Sequence, residues 1–290
     1  MSRITNMMTL IEFPEDAVAF FEEVFSKIES DSTLMTELDE LKAFYFENFT
    51  CEELTARLTA LSEKAGYHKF TIDMIFFLYC CETLKGMYLE KGYSEELFIH
   101  TMKDLKYKLK ECIDTEGIMG TKTFQWYDGF FKMERFALGR LQYEHLPMDV
   151  DYKDVLKVGD DYLNIHIPSS GPLYPEEVQE SFRLAYEFFG PNHGDSLVFR
   201  CSTWMLYPPT AKLLPENSNI RKFYEVFDIY REVSPANWHM WRIFGVEVQP
   251  DEYKSLPQNT SLQKIFYKYL NSGEGKHMGV GYGIHIYKPE

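Results

Sequence analysis

Three features of this sequence have the residue types and spacing for chemistry: one histidine, one carboxylate and the turn that follows the histidine. His166 ends the run Tyr162-Leu163-Asn164-Ile165-His166. An imidazole takes up a proton near neutral pH, so His166 is a candidate general base. A histidine beside a sheet can equally be a hydrogen-bonding strut. Glu144, in Arg140-Leu141-Gln142-Tyr143-Glu144, stands on the polar side of its segment, as a proton-transfer group or as half of a salt bridge. The turn Pro168-Ser169-Ser170-Gly171-Pro172 places small residues and free N–H groups before a helix opening at Pro175. Such a turn can cradle an anion, because N–H groups and helix dipole both favour negative charge. An ordinary β-to-α connection is the plainer reading, and the pattern is neither a Walker A loop nor a dinucleotide fingerprint. Cys201 lies in an apolar segment without a local histidine, so a nucleophilic thiol is not expected. No H-x-x-x-H spacing occurs among the eight histidines, so no metal is expected, and there is no G-x-S-x-G elbow.

The elements that must position these groups belong to the second half of the chain. From Lys132 to Leu146 the apolar period shortens to two, with Leu141 and Tyr143 on one face and Arg140, Gln142 and Glu144 on the other. Tyr162 to Ile167 reads as a strand with Asn164 and His166 opposite Leu163, Ile165 and Ile167. A helix from Pro175 carries the stripe Val178, Phe182, Ala185 and Phe189. Ser196 to Leu206 reads as a strand, Asn219 to Phe227 as a helix and Trp238 to Val248 as a strand. Thr260 and Gln263 form a capping box for a further helix, and Val280, Tyr282, Ile284 and Ile286 alternate in a closing strand. The order β-β-α-β-α-β-α-β describes an α/β domain.

The first 115 residues read as five helices. One opens at Pro14 with the stripe Phe21, Val24, Phe25 and Ile28, and a second carries Leu34, Leu38, Leu41 and Tyr45. A third starts at Thr50, with Glu53 completing a capping box, and ends near Gly66. Phe70 to Leu89 is apolar nearly all round, as a central helix would be. The last opens at Ser94 and buries Phe98, Met102, Leu105, Leu109 and Cys112. The change of period between about residues 115 and 130 divides the chain into a helical part, 1–120, and a mixed α/β part, 121–290.

Length and composition agree with two packed parts: 290 residues, 45% apolar and 16% aromatic. Lys and Arg total 30 against 45 Asp and Glu, a formal charge of −15. Residues 1–60 hold 13 acidic side chains against Arg3, Lys27, Lys42 and Arg57. Such a field repels a phosphate polymer and excludes nucleic acid as the expected partner. Five cysteines without C-x-x-C fit a reducing compartment, and the longest apolar run, Phe70 to Cys81, is too short to span a bilayer. With no apolar leader at the start, a cytoplasmic protein without a membrane partner is expected.

Five stretches occur together in an order that resembles a known family: Gly139-Arg140-Leu141-Gln142-Tyr143-Glu144, His166 through Leu173, Cys201 through Leu206, Leu214 through Ile220, and Leu256 through Gln263. They resemble bacterial proteins that join a helical N-acyltransferase-type N-terminal domain to a GNAT-like C-terminal domain. The resemblance implies an all-helical bundle followed by a mixed-sheet acyltransferase domain. It also implies coenzyme A or an acyl-CoA as cofactor, and a small-molecule amine or hydroxyl acceptor. It maps the cofactor loop onto Ser169, Ser170, Gly171 and Leu173, beside Glu144 and His166 as candidate catalytic residues. The loop departs from the usual Arg or Gln-x-x-Gly-x-Gly or Ala, and Pro172 removes one backbone donor. A GNAT-like ligand-binding or regulatory module without catalysis is the alternative, and an interaction role for the acidic helices a third.

Overall fold

The computed structural model describes residues 3–190, 195–273 and 275–289. It divides into two compact units, Met1–Ala137 and Leu138–Glu290.

The first unit is helical: α1 (Thr5–Leu10), α2 (Glu15–Ser30), α3 (Ser32–Asn48), α4 (Glu52–Ala65), α5 (Lys69–Glu90), α6 (Glu95–Met102), α7 (Asp104–Glu116) and the short α8 (Asp128–Phe131). The stripe Phe21, Val24, Phe25 and Ile28 is buried on α2, and Leu38, Leu41 and Tyr45 on α3. Helix α5 has thirteen buried residues of twenty-two, which makes it the axis of the bundle. Gly66 ends α4 in the left-handed conformation, φ 73°, where a side chain would be strained.

Three helical expectations change. Helix α1 is additional: it is short, and its buried apolar residues are Ile4, Met7, Met8 and Ile11. The helix from Ser94 is interrupted at Lys103, so α6 and α7 are separate, although Phe98, Met102, Leu105, Leu109 and Cys112 are all buried. Thr50 and Glu53 form no capping box. Cys51 is the N-cap of α4, and the Thr50 hydroxyl instead donates to Asp128 at 2.6 Å, beside the Tyr45 hydroxyl at 3.0 Å. A distant carboxylate has outcompeted the local cap.

One six-stranded sheet follows, five of its strands in the second unit and β1 at the division between the units: β1 (Arg135–Leu138), β2 (Leu141–Pro147), β3 (Asp161–His166), β4 (Leu197–Thr203), β5 (Asp228–Val233) and β6 (Val280–Tyr287). The spatial order is β1-β2-β3-β4-β6-β5. Strands β3 and β4 are parallel, joined by the crossover helix α9 (Pro175–Phe189), while β2–β3, β4–β6 and β5–β6 are antiparallel. On one face α9 buries Val178, Phe182, Ala185 and Phe189, and Phe182 stacks on Phe199 of β4 with centroids 5.0 Å apart. The segment expected as one strand over 132–146 is a hairpin turned at Gly139, φ 68°. Ser181 of α9 pins it, accepting from the Leu141 N–H at 3.1 Å and donating to the Leu138 carbonyl.

Past β4 lie α10 (Pro208–Ala211), α11 (Asn219–Glu225), α12 (Trp241–Phe244) and α13 (Ser261–Leu270), the last opened by the expected Thr260–Gln263 capping box. Trp238 to Val248 is not a strand. It holds a 3₁₀ turn and α12, whose Met240, Ile243 and Phe244 enter one apolar cluster with Trp204, Phe266 and Leu270. Spacings of three and four are helical, and they win over the local β propensity. The strand at that place in the order is β5, a charged edge strand, Asp-Ile-Tyr-Arg-Glu-Val, with no fully buried residue. Charges blunt an exposed edge and hide its period.

Candidate active site

The register of the sheet brings the two candidate catalytic residues together. Gln142 pairs with His166 and Glu144 with Asn164 across β2 and β3, and Asn164 pairs with Arg200 across β3 and β4. Opposed residues share a face, so Gln142, Glu144, Asn164, His166 and Arg200 line the side of the sheet away from α9. His166 Nε2 lies 2.5 Å from Glu144 Oε1 and 3.0 Å from Asn164 Nδ2. The side chains of His166 and Glu144 are 20% and 12% exposed, enough to shield the pair from bulk water while leaving the imidazole reachable. A carboxylate accepts, so Nε2 carries the hydrogen that meets Glu144. With Nε2–H so directed, the Asn164 amide is best satisfied with its oxygen towards the ring. Gln142 and Glu144, read as an outer polar face, are both buried.

The same end of the sheet is where β3 and β4 part. Their parallel register runs from Leu163–Phe199 to Ile165–Cys201. Beyond it β4 continues with β6 to the pair Thr203–Gly281, while His166 stays with Gln142 on β2. The imidazole therefore stands at the point where the ladder stops, at the carboxyl ends of two parallel strands, the location at which open α/β sheets accept ligands. The Cys201 thiol is buried and directed at the Ile165 carbonyl, 3.9 Å away, and burial pushes its pKa up, so it does not serve as a nucleophile.

The loop after β3 is organised by Arg140. Its guanidinium donates to the carbonyls of Pro168 at 3.2 Å, Gly171 at 2.5 Å and Pro172 at 3.0 Å. Ser169, Ser170 and Gly171 are exposed, and Gly171 takes φ 126°, a conformation that favours glycine. Leu173 is 4% exposed, so it anchors the loop from below. Pro175 opens α9, with Glu176 and Glu177 in the first turn.

Sequence reasoning missed Asn164, Arg200 and the segment between β2 and β3. Arg200 is 7% exposed and bonds Asp149 at 2.7 Å and the Tyr162 hydroxyl at 2.9 Å, with the rings of Tyr162, Tyr230 and Tyr282 around it. Its alternation with Phe199 and Cys201 was the available signal. Residues 148–160 fold back as a flap: Met148, Tyr152 and Leu156 pack on Tyr162 and Ile284, and Tyr152 and Lys153 bind Asp228.

Among the described residues no group of three or more His, Cys, Asp and Glu is arranged to hold a metal ion, and no helix is long and apolar enough to cross a membrane.

Comparison with known proteins gives the following. The N-acyltransferase N-terminal domain matches residues 2–133, and the GNAT-like C-terminal domain matches residues 136–285. No curated protein matches this chain. Three similar solved structures are an acyltransferase in complex with decanoyl-CoA and teicoplanin, an acyltransferase mutant in complex with octanoyl-CoA, and an acyltransferase in complex with CoA and 10C-teicoplanin. Each is 21% identical, with TM-scores of 0.64, 0.64 and 0.63; the matches cover 98%, 99% and 97% of this chain and 99%, 100% and 98% of theirs. At that identity they establish a shared fold: a helical N-terminal region and a mixed six-stranded sheet. Since the second match covers more than half of its length, the chain belongs to the GNAT-like C-terminal domain family, here preceded by an N-acyltransferase N-terminal domain.

Proposed function

We propose that this protein is an acyl-CoA-dependent acyltransferase acting on the amine or hydroxyl of a small molecule. The observation that carries the reading is the Glu144–His166 pair standing where the β3–β4 ladder stops. The loop after β3 fits a pyrophosphate in one respect that the sequence pattern lacks. Three of its carbonyls are turned onto Arg140, which takes up acceptors that would repel phosphate and adds a cation beneath the loop. Glu176 and Glu177 weaken the field of the α9 dipole there. Ser169, Ser170 and Gly171 would hold the cofactor, with Leu173 anchoring the loop.

Bound acyl-CoA would supply a thioester whose C–S bond breaks as the new N–acyl or O–acyl bond forms, CoA leaving as the thiol. His166 takes the acceptor's proton and returns it to the departing sulfur. Glu144 holds the ring by Nε2–H and stabilises the imidazolium that forms meanwhile. The neighbouring complexes with CoA, octanoyl-CoA and decanoyl-CoA support this cofactor for the shared fold.

Calorimetric titration with CoA and acetyl-CoA, followed by a free-thiol assay over a panel of small amines and alcohols, tests the reading. Binding with acceptor-dependent thiol release is expected. Binding without release for any acceptor favours the ligand-binding module, and no binding of either at millimolar ligand rejects the proposal.

A further inference from the structure

We infer, on the basis of the acyltransferase reading, that the flap at residues 148–160 sets acyl length and restricts this protein to short acyl groups. An acyl chain attached to a thioester beside His166 has two ways onto the sheet. The α9 side is filled by Phe182, Ala185, Phe189 and Phe199. On the other side, successive rows run back from the mouth: Gln142–His166, then Glu144–Asn164–Arg200, then Leu146–Tyr162. Two residues along a strand span roughly 7 Å, so the third row begins about 13 Å from His166.

The flap closes this path. Asp149 Oδ1 lies 2.7 Å and Met148 Sδ 3.9 Å from Arg200 Nη1, over the second row. Across the second and third rows Met148, Tyr152 and Leu156, exposed by 2%, 5% and 4%, occupy the apolar surface of Ile284, which pairs with Arg200, and of Tyr162 that a longer chain would need. That surface is apolar, but the protein's own side chains fill it. An acetyl group stops short of the flap, whereas a decanoyl chain has to displace it. The flap is held to the sheet at two points, by Asp149 on Arg200 and Arg231 and by Tyr152 and Lys153 on Asp228.

The test is the dissociation constant of CoA, acetyl-CoA and decanoyl-CoA for the full chain, by calorimetry. Acetyl-CoA should bind the wild type at least tenfold more tightly than decanoyl-CoA. Leu156→Ala, which hollows the flap, should reduce that ratio at least tenfold through decanoyl-CoA alone. Asp149→Asn, which unlatches the flap at an exposed residue, should move it the same way and serves where Leu156→Ala does not fold. Equal or tighter binding of decanoyl-CoA by the wild type overturns the inference, as does an unchanged ratio in the folded variants. If CoA binds but the ratio behaves so, the acyltransferase reading stands and the flap role falls. If no CoA species binds the wild type, both fall.

Discussion

The carboxylate of Glu144 holds the His166 ring by Nε2 at 2.5 Å, and it offsets the positive charge the ring acquires on accepting a proton. His166→Ala should lower turnover about a hundredfold, the size of a lost general base. Glu144→Gln keeps a hydrogen-bond acceptor but not the charge, and should lower turnover by roughly tenfold. Both proteins should keep the wild-type circular dichroism spectrum, and loss of fold without loss of turnover in the folded fraction would make the pair scaffold. Asp73 on α5 shows what burial does without such a partner arrangement. It is 1% exposed, and desolvation raises its pKa from 3.8 to about 6 against the opposing pull of Lys69, 2.9 Å away. A folded-state pKa above the unfolded one means that the native protein binds more protons between those values. The contribution is complete below pH 3.8 and is lost as pH rises through about 6. Asp73→Asn should therefore stabilise the protein at pH 8 by on the order of 2 kcal/mol, with the gain shrinking towards pH 4. Urea unfolding at both pH values measures it.

Between elements, the sheet and the 3₁₀ turn Trp204–Leu206 that follows β4 approach more closely than a side chain allows. A Cβ on Gly281 of β6 would lie 1.9 Å from the Leu206 carbonyl oxygen, a backbone atom that cannot swing away. Gly281→Ala should cost about 3 kcal/mol, at the upper end of overpacking, and lower the melting temperature clearly. Gly273→Ala, with nothing within 4 Å of the added carbon, is the control and should leave the melting temperature nearly unchanged. A Gly281→Ala protein as stable as the control would show that β6 and the turn can separate at little cost. The close approach also bears on the site, because β6 carries β4 onward after β3 has left it.

For the whole molecule the relevant quantity is charge. A protein of net charge −15 repels an anionic ligand such as CoA over distances set by the screening length. Arg140 provides a local cation within an unfavourable global field. Raising ionic strength from about 10 mM to 200 mM shortens the screening length from about 30 Å to under 10 Å, so association of CoA should accelerate by a few-fold. Stopped-flow binding across that range measures this. A rate that falls with salt would mean that local cations dominate the approach and that the net charge is irrelevant to it.

What the sequence determined by itself is the division of labour. Period 3.6 before residue 115 and period 2 after 132 gave helices and then strands, since each pattern buries its apolar side in one way only. The motif stretches gave the family, and alternation put Asn164 and His166 on one face. Trp238 to Val248 was misread and Asp228 to Val233 was missed, because a packed satellite cluster and a charged edge each override local propensity. Only tertiary structure decided that Glu144 meets His166, because residues 22 apart come together through the register of β2 on β3, which no local pattern encodes. The flap is likewise tertiary: Asp149 finds Arg200 51 residues away, and Thr50 leaves its helix cap for Asp128 at a separation of 78. Long-range charge and hydrogen-bond partners are chosen by the folded chain, and sequence spacing carries no trace of that choice.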